Sequence, residues 1–329
     1  MKKRIGITTT IPQEVIWASG NIPVDLNNLF LADDKREQFL SLAYREGYPR
    51  TICAWIAGIY GAVAMSEDID TIVFLSQGDC SNTHALAETL EDIGIKVIPF
   101  AFPYDGNKRI LDAEITNLGC YFGVEREQII ENFRILEKPR RLAQDIDRLA
   151  WEENKITSFE NHLFHVTTSD FNSDIEKYCA TAEKLIEDAK KRTSFDDRVR
   201  LGYIGVPPIF PEIFDFFDSL KARVVFVEVQ RQFSLPFEGA DLLEAYCRYT
   251  YPTSVFRRIK DIKEAVQTRS IDGIIHYTQS FCFRQIEDLL FRKHIDVPFL
   301  TIEGESQFDL DERTRVRAEA FIKLLEDKK

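Results

Sequence analysis

No stretch of this chain approaches the roughly 20 apolar residues that a membrane-crossing helix needs, so no membrane association is expected. The sequence has no Cys-x-x-Cys pair and no compact ferredoxin-type cysteine run, which removes the common local signatures of a metal or redox site. It has no Gly-x-x-x-x-Gly-Lys-Ser/Thr loop, so the chain is not expected to hydrolyse ATP itself. Gly202-Tyr203-Ile204-Gly205-Val206 follows a strand-like run but lacks the third glycine of a dinucleotide fingerprint. An excess of basic residues is also missing. Lys and Arg number 42 against 54 Asp and Glu, a formal net charge of −12, and nucleic acid as the main partner would require a basic face. The basic start Lys2-Lys3-Arg4 is followed by an apolar run too short and too polar for a secretory signal. A cytoplasmic protein is therefore expected. In that reducing compartment its six cysteines should be thiols, each a small buried hydrophobe or a ligand.

The 329 residues, 44% hydrophobic and 29% charged, suit a soluble globular protein of two domains. Strand-like runs alternate with helical ones, which predicts an α/β fold: two Rossmann-like domains with parallel sheets, joined by a helical segment. In the first third the expected strands are Arg4–Thr8, Val24–Leu26, Thr71–Leu75 and Lys96–Ile98. The second set is Arg200–Ile204, Arg223–Val229, Gly273–Tyr277 and Phe299–Ile302. Between the sets, Glu125–Ala150, Ser158–His165 and Asp170–Arg192 are rich in Glu, Lys, Arg and Leu at helical spacing. The expected division is an N-terminal domain over 1–124, a helical segment over 125–196 and a C-terminal domain over 197–329.

Ligands of open α/β sheets bind beyond the carboxyl ends of the strands. Two cysteines stand there. Thr71–Leu75 runs into Ser76-Gln77-Gly78-Asp79-Cys80, and Ile274–Tyr277 runs into Thr278-Gln279-Ser280-Phe281-Cys282. The two loops are equivalent, each ending in a cysteine just before a helix, where a thiol's pKa is lowered. Cys53 follows the turn Gly47-Tyr48-Pro49-Arg50 and also precedes a helix. Against this, cysteine is among the most buried residue types, and one near a strand end is commonly packing. Cys53 and Cys80 are 27 residues apart and Cys282 lies a further 202 along, a spacing that names no metal site on its own.

Other groups are placed by position alone. His84 lies one turn past Cys80, and His276 two residues before Thr278. Each is a core histidine or a proton donor at the strand ends. Ser280 and Glu303 stand at the same edge, and Glu303-Gly304-Glu305 reads equally as a solvated turn. His162-x-x-His165 reads as a pair on a surface helix. Arg248, Arg257, Arg258 and Arg284 are the nearest cations for an anionic ligand, or surface arginines of amphipathic helices.

Several stretches resemble components of the 2-hydroxyacyl-CoA dehydratase and benzoyl-CoA reductase family. Pro12-Gln13-Glu14 with Ala18-Ser19-Gly20-Asn21-Ile22-Pro23 is similar to the family's opening helix. Tyr48–Cys53, Gly78–Asn82 and Asp272–Cys282 resemble its three cluster-cysteine motifs in order, and Pro298–Gly304 its final strand. Ser81 and Asn82 depart from the family's Cys-Asp-Gly, and the chain is shorter than the usual components. The resemblance implies a [4Fe–4S] cluster in the interdomain cleft on Cys53, Cys80 and Cys282, with one iron open. It implies an ATP-hydrolysing iron–sulfur activator as electron donor, a homodimer or a heterodimer with a related component, and radical dehydration or reduction of an acyl-CoA. Acidic side chains would steer a basic patch on that activator. A double-cubane [8Fe–9S] branch of the family reduces small molecules. In that case Cys247 and Cys120 are the best added ligands, while Cys179, inside a charged helix, is a bystander.

Overall fold

The computed structural model describes residues 2–329. The chain opens with β1 (Arg4–Ile7), α1 (Glu14–Ala18), β2 (Ile22–Asp25), α2 (Leu26–Ala32), α3 (Arg36–Arg45) and α4 (Ala54–Ala64). There follow β3 (Ile69–Gln77), α5 (Asn82–Asp92), β4 (Lys96–Ala101) and α6 (Lys108–Phe122). The middle is helical, as its spacing predicts: α7 (Arg126–Trp151), α8 (Ser158–Val166), two 3-10 turns at Thr167–Ser169 and Phe171–Ser173, and α9 (Ile175–Lys191). The second alternating set is β5 (Val199–Gly205), α10 (Ile213–Ser219), β6 (Ala222–Val227), α11 (Glu228–Phe233), α12 (Leu242–Arg248), α13 (Val255–Thr268), β7 (Gly273–Gln279), α14 (Glu287–His294), β8 (Phe299–Gly304) and α15 (Glu312–Glu326). A 3-10 turn, Phe283–Ile286, leads into α14.

Residues 2–140, 167–178 and 235–254 form one compact unit; residues 141–166, 179–234 and 255–329 form another. Each holds a four-stranded, all-parallel sheet, in the orders β2-β1-β3-β4 and β6-β5-β7-β8. The α/β class read from the sequence is the observed one. The strands are near-continuous apolar runs because helices cover parallel sheets on both faces. Ile72, Val73 and Leu75 of β3 are buried, and so is every residue of β6 and β7. The second core joins Ile204, Phe226, Ile262, Ile274, Phe291 and Ile295.

The two orders are the same permutation. From the first strand of each set the chain steps to one side, then crosses back to place its third strand on the other. The reversal puts a topological switch point between β1 and β3 and another between β5 and β7, where a crevice opens at the carboxyl ends.

Candidate functional site

Cys80 and Cys282 occupy matching places at these crevices. Each lies three residues beyond the last residue of its strand, Gln77 of β3 or Gln279 of β7. Each loop contains a left-handed residue, Gly78 at φ +107 and Phe281 at φ +66. Each cysteine opens a helical turn: the Thr83 amide donates to the Cys80 carbonyl at 3.1 Å, and the Gln285 amide to that of Cys282 at 3.2 Å.

In the first unit Gly78 is required twice over. Its φ disfavours a side chain, and a methyl there would sit 2.6 Å from Pro252 Cβ and 3.2 Å from Phe102 Cβ. The 246–252 segment therefore packs closely on the Cys80 loop. Tyr251 donates to Asp79 at 3.4 Å, and the Tyr249 ring meets Phe102 at 5.7 Å. Cys247 belongs to this segment, in α12, and is half-buried. Thr83 lies 3.6 Å from the Cys80 sulfur and also donates to Asp79 at 3.3 Å. Burial pushes the Cys80 thiol up and Asp79 pushes it further, outweighing Thr83 and the helix-start amides. The expectation that the helix start lowers this pKa is thus corrected: desolvation penalises the thiolate more than two amides favour it.

Cys53 is buried at the N-cap of α4. Its neighbour Tyr44 is pushed up by burial, with Arg50 pulling down and Cys53 adding a smaller upward push. His84 lies on α5 with Nε2 2.8 Å from the Ser76 carbonyl, so Nε2 carries the proton and donates it. Cys120 is exposed in the last turn of α6. The next residue, Tyr121, packs under Lys96, the first residue of β4. That is the amino edge of the sheet, about 20 Å from the carboxyl edge at about 3.3 Å per strand residue. Cys120 and Cys80 are not brought together.

In the second unit Ser280 donates to Glu303 at 2.9 Å, and Gln285 donates to the same carboxylate oxygen at 2.7 Å. The Ser280 amide is tied to the Gly304 carbonyl at 2.8 Å. A Ser–Glu–Gln group therefore sits beside Cys282. Gln285 escaped the sequence reading; its spacing, three residues past Cys282 in the helical turn, was the available signal. His276 is not at the crevice. It is fully buried in mid-strand, with Nδ1 donating to Asp288 at 2.7 Å. Its buried Nε2 has no partner among the described residues. Burial alone would raise Asp288, but hydrogen bonds from His276, Thr301 and Arg292 hold its carboxyl well below the usual range.

Three sequence expectations are corrected here. Arg258 is fully buried, bound to Glu228 at 2.6 and 2.8 Å and to Glu287. Arg284 is buried against Glu287 at 3.2 Å. Neither is a surface cation available to a phosphate. Arg248 is half-exposed, stacked on Phe237 at 4.5 Å, and Arg257 is half-buried. His162 and His165 are buried rather than on the surface: His162 stacks on Phe214 at 4.4 Å and faces Gln230 at 3.2 Å. Cys179 is buried in α9.

None of the six cysteines forms a disulfide, and among the described residues no three His, Cys, Asp or Glu side chains converge on one metal ion. In an iron–sulfur cube each thiolate takes a different iron, so the test there is the donor set. Cys53 and Cys80 in the first unit and Cys282 in the second are thiols that each open a helical turn, the donor type such a group takes. No helix is long and apolar enough to cross a membrane among the described residues. No curated protein matches this chain. The family model described as 2-hydroxyglutaryl-CoA dehydratase, D-component, matches residues 8–325, and the chain belongs to that family.

Proposed function

We propose that this chain is the iron–sulfur component of a 2-hydroxyacyl-CoA dehydratase-like system, holding one [4Fe–4S] cluster through Cys53, Cys80 and Cys282. The observation that carries the reading is the matched position of Cys80 and Cys282, in a chain whose family is the dehydratase D-component. A cluster on three thiolates would supply an electron reservoir and a Lewis-acidic iron with an open position.

The chain's own residues supply the proton chemistry. Loss of water from a 2-hydroxyacyl thioester needs one group to take a carbon-bound proton and one to protonate the departing hydroxyl. Ser280 and Glu303 suit both: the carboxylate is exposed, and Ser280 and Gln285 fix its orientation. His84 Nε2 is held by the Ser76 carbonyl, which leaves Nδ1 to accept a proton. His276 is buried against Asp288 and acts as a positioning residue for β7 and α14. Of the four arginines singled out by the sequence, Arg248 is the most exposed and the one open to the CoA phosphates, with Glu244 at 3.7 Å.

The electron donor in this reading is an ATP-hydrolysing iron–sulfur activator, and the working form is a homodimer or a heterodimer with a related component, in the cytoplasm. The second reading is a double-cubane [8Fe–9S] reductase of small molecules, or an electron carrier without a CoA site. Cys247 favours it, since its segment packs on the Cys80 loop through Tyr251 and Pro252.

Anaerobic iron and sulfide counting with electron paramagnetic resonance tests both. About four irons, with a spectrum that shifts on adding a 2-hydroxyacyl-CoA, is the expected result. About eight irons and no response to thioesters would support the second reading. Colourless, iron-free protein would overturn both.

A further inference from the structure

Tyr277 and Gln279 of β7 are polar side chains almost wholly out of water, 0% and 1% exposed. The Tyr277 ring meets Tyr203 at 6.2 Å and Phe210 at 5.5 Å. A phenylalanine would fill that space without a hydroxyl to bury, and a buried hydroxyl costs free energy unless it is bonded. This one is bonded twice. It accepts from the Ile209 amide at 3.1 Å and donates to Gln279 Oε1 at 2.9 Å. Gly304 makes the room: a methyl on it would collide with the Tyr277 oxygen and stand 3.1 Å from Gln279 Oε1.

The bonds continue outward from this pair. Gln279 Nε2 donates to the Glu305 carbonyl, in the loop after β8. The Gln279 carbonyl accepts from the Cys282 amide at 2.9 Å and from Gln285 Nε2 at 3.2 Å. Gln285 Nε2 also reaches Glu303, which takes the Ser280 hydroxyl on the same oxygen. The loops after β5, β7 and β8 are thus tied to one buried pair, through Ile209, Cys282 and Glu305.

What the pair holds is a strained turn. The bond from the Cys282 amide to the Gln279 carbonyl closes a four-residue turn with Phe281 at its third position, φ +66. Glycine is favoured at such a position, and a bulky residue keeps it only where its surroundings impose it. The Phe281 ring is 55% exposed, so packing of the ring is a weak restraint. The restraints on the backbone are the Ser280 amide on the Gly304 carbonyl and the Cys282 amide on Gln279. The sheet itself does not need the Tyr277 hydroxyl, because β7 already pairs with β5 and β8 along its length. A fully bonded buried network chiefly selects one arrangement among several, and here the arrangement selected is that of the loops.

We infer that Tyr277 and Gln279 are positioning residues, which fix the Cys282 thiol and the Glu303 carboxylate in one register at the end of β7. The inference deepens the proposed function, on which the roles of Cys282 and Glu303 rest. Partners that hold a ligand from behind govern its affinity and geometry. Tyr277 acts on Cys282 only through Gln279, and Gln279 acts on Glu303 only through Gln285.

The test uses the full chain, both as purified anaerobically and after removal of iron with a chelator. Iodoacetamide is the probe, and mass spectrometry reads each cysteine separately. Cys179, buried in the same unit, reports opening of that unit as a whole. In the iron-free form Tyr277→Phe and Gln279→Met should each speed alkylation of Cys282 about tenfold relative to Cys179, as loss of about one hydrogen bond does to a local opening. The double variant should be little faster than either single one, because both residues serve the same chain of bonds. In the iron-loaded form each variant should yield iron to a chelator about tenfold faster and change the electron paramagnetic resonance line shape. Cys282 and Cys179 speeding up together would make the pair purely structural and overturn the inference. So would an unchanged Cys282 rate. Gln279→Met, which keeps the length of the side chain, decides the matter if Tyr277→Phe does not fold. Iron-free wild-type protein would sink the proposed cluster, whereas alkylation, read without iron, tests the positioning separately.

Discussion

Arg258 has the largest fully buried side chain of the protein, and its guanidinium meets two carboxylates. Removing one partner of a buried pair leaves an uncompensated charge, at a cost of about 3–5 kcal/mol. Arg258→Met should therefore destabilise the chain by about that much in urea unfolding, and adding Glu228→Gln should recover part of it. Full stability of the single variant would show that the pair is not structural. At the proposed ligands, Cys80→Ser and Cys282→Ser should each lose iron, while Cys120→Ser and Cys179→Ser keep it. Iron retained in Cys80→Ser, or lost in Cys179→Ser, would refute the assignment. The cysteine positions were legible because an apolar β-branched run marks its own end, and the thiol follows at a fixed offset. The burial of Arg258, His162 and His165 was not. Polar residues at helical spacing look the same whether that face meets water or a partner such as Glu228 or Gln230.

At the scale of elements, the Cys80 loop is held by a glycine with no room beside it. Gly78→Ala combines an unfavourable φ with contact against Pro252, and strain of this kind costs about 1–3 kcal/mol. Gly94→Ala is the control: its φ is +91, and a methyl there meets nothing within 4 Å. Both variants should lose stability, but only Gly78→Ala should also lose iron, because only it pushes the 246–252 segment against the loop that carries Cys80. Equal iron content in the two would show that the clamp does not position the cysteine. The eight strands and the helical middle were readable from apolar runs and helical periodicity, since parallel sheets buried on both faces leave a strong pattern, but α2, α6, α11 and α12 were not, and Glu228 and Val229, read as the end of a strand, open α11 instead. The packing of Tyr249, Tyr251 and Pro252 on the first sheet's edge was not readable. Nothing in a local aromatic stretch names the surface it will cover, and Asp79 and Phe102 lie far away in the chain.

Across the whole molecule, the two units carry buried titratable groups of opposite response. In the first unit Asp170 accepts from the Asp25 amide at 2.8 Å, and both carboxyls are buried. Burial raises each; Asp25 adds to the push on Asp170, which reaches about 7, while Arg4 pulls it down only slightly. A carboxyl raised in the fold binds more protons folded than unfolded, so its contribution is complete below about pH 4 and is lost as pH rises towards 7. In the second unit burial pulls His162 down to about 3 and His165 to about 4. Their unfolded forms bind more protons, so their contribution is complete above about pH 6.5 and is lost as pH falls towards 4. Asp147, paired with Arg269 at 2.6 Å and held at about 2 despite its burial, extends the acid loss below pH 4. Native-state hydrogen exchange, corrected for intrinsic rates, should separate the two. Between pH 7.5 and pH 4.5, peptides around Asp25 and 167–175 should gain protection while those of α8, β6 and α11 lose it. Asp170→Asn should flatten the first response and leave the second. Protection falling equally in both sets of peptides would show that these pairs do not govern the acid response.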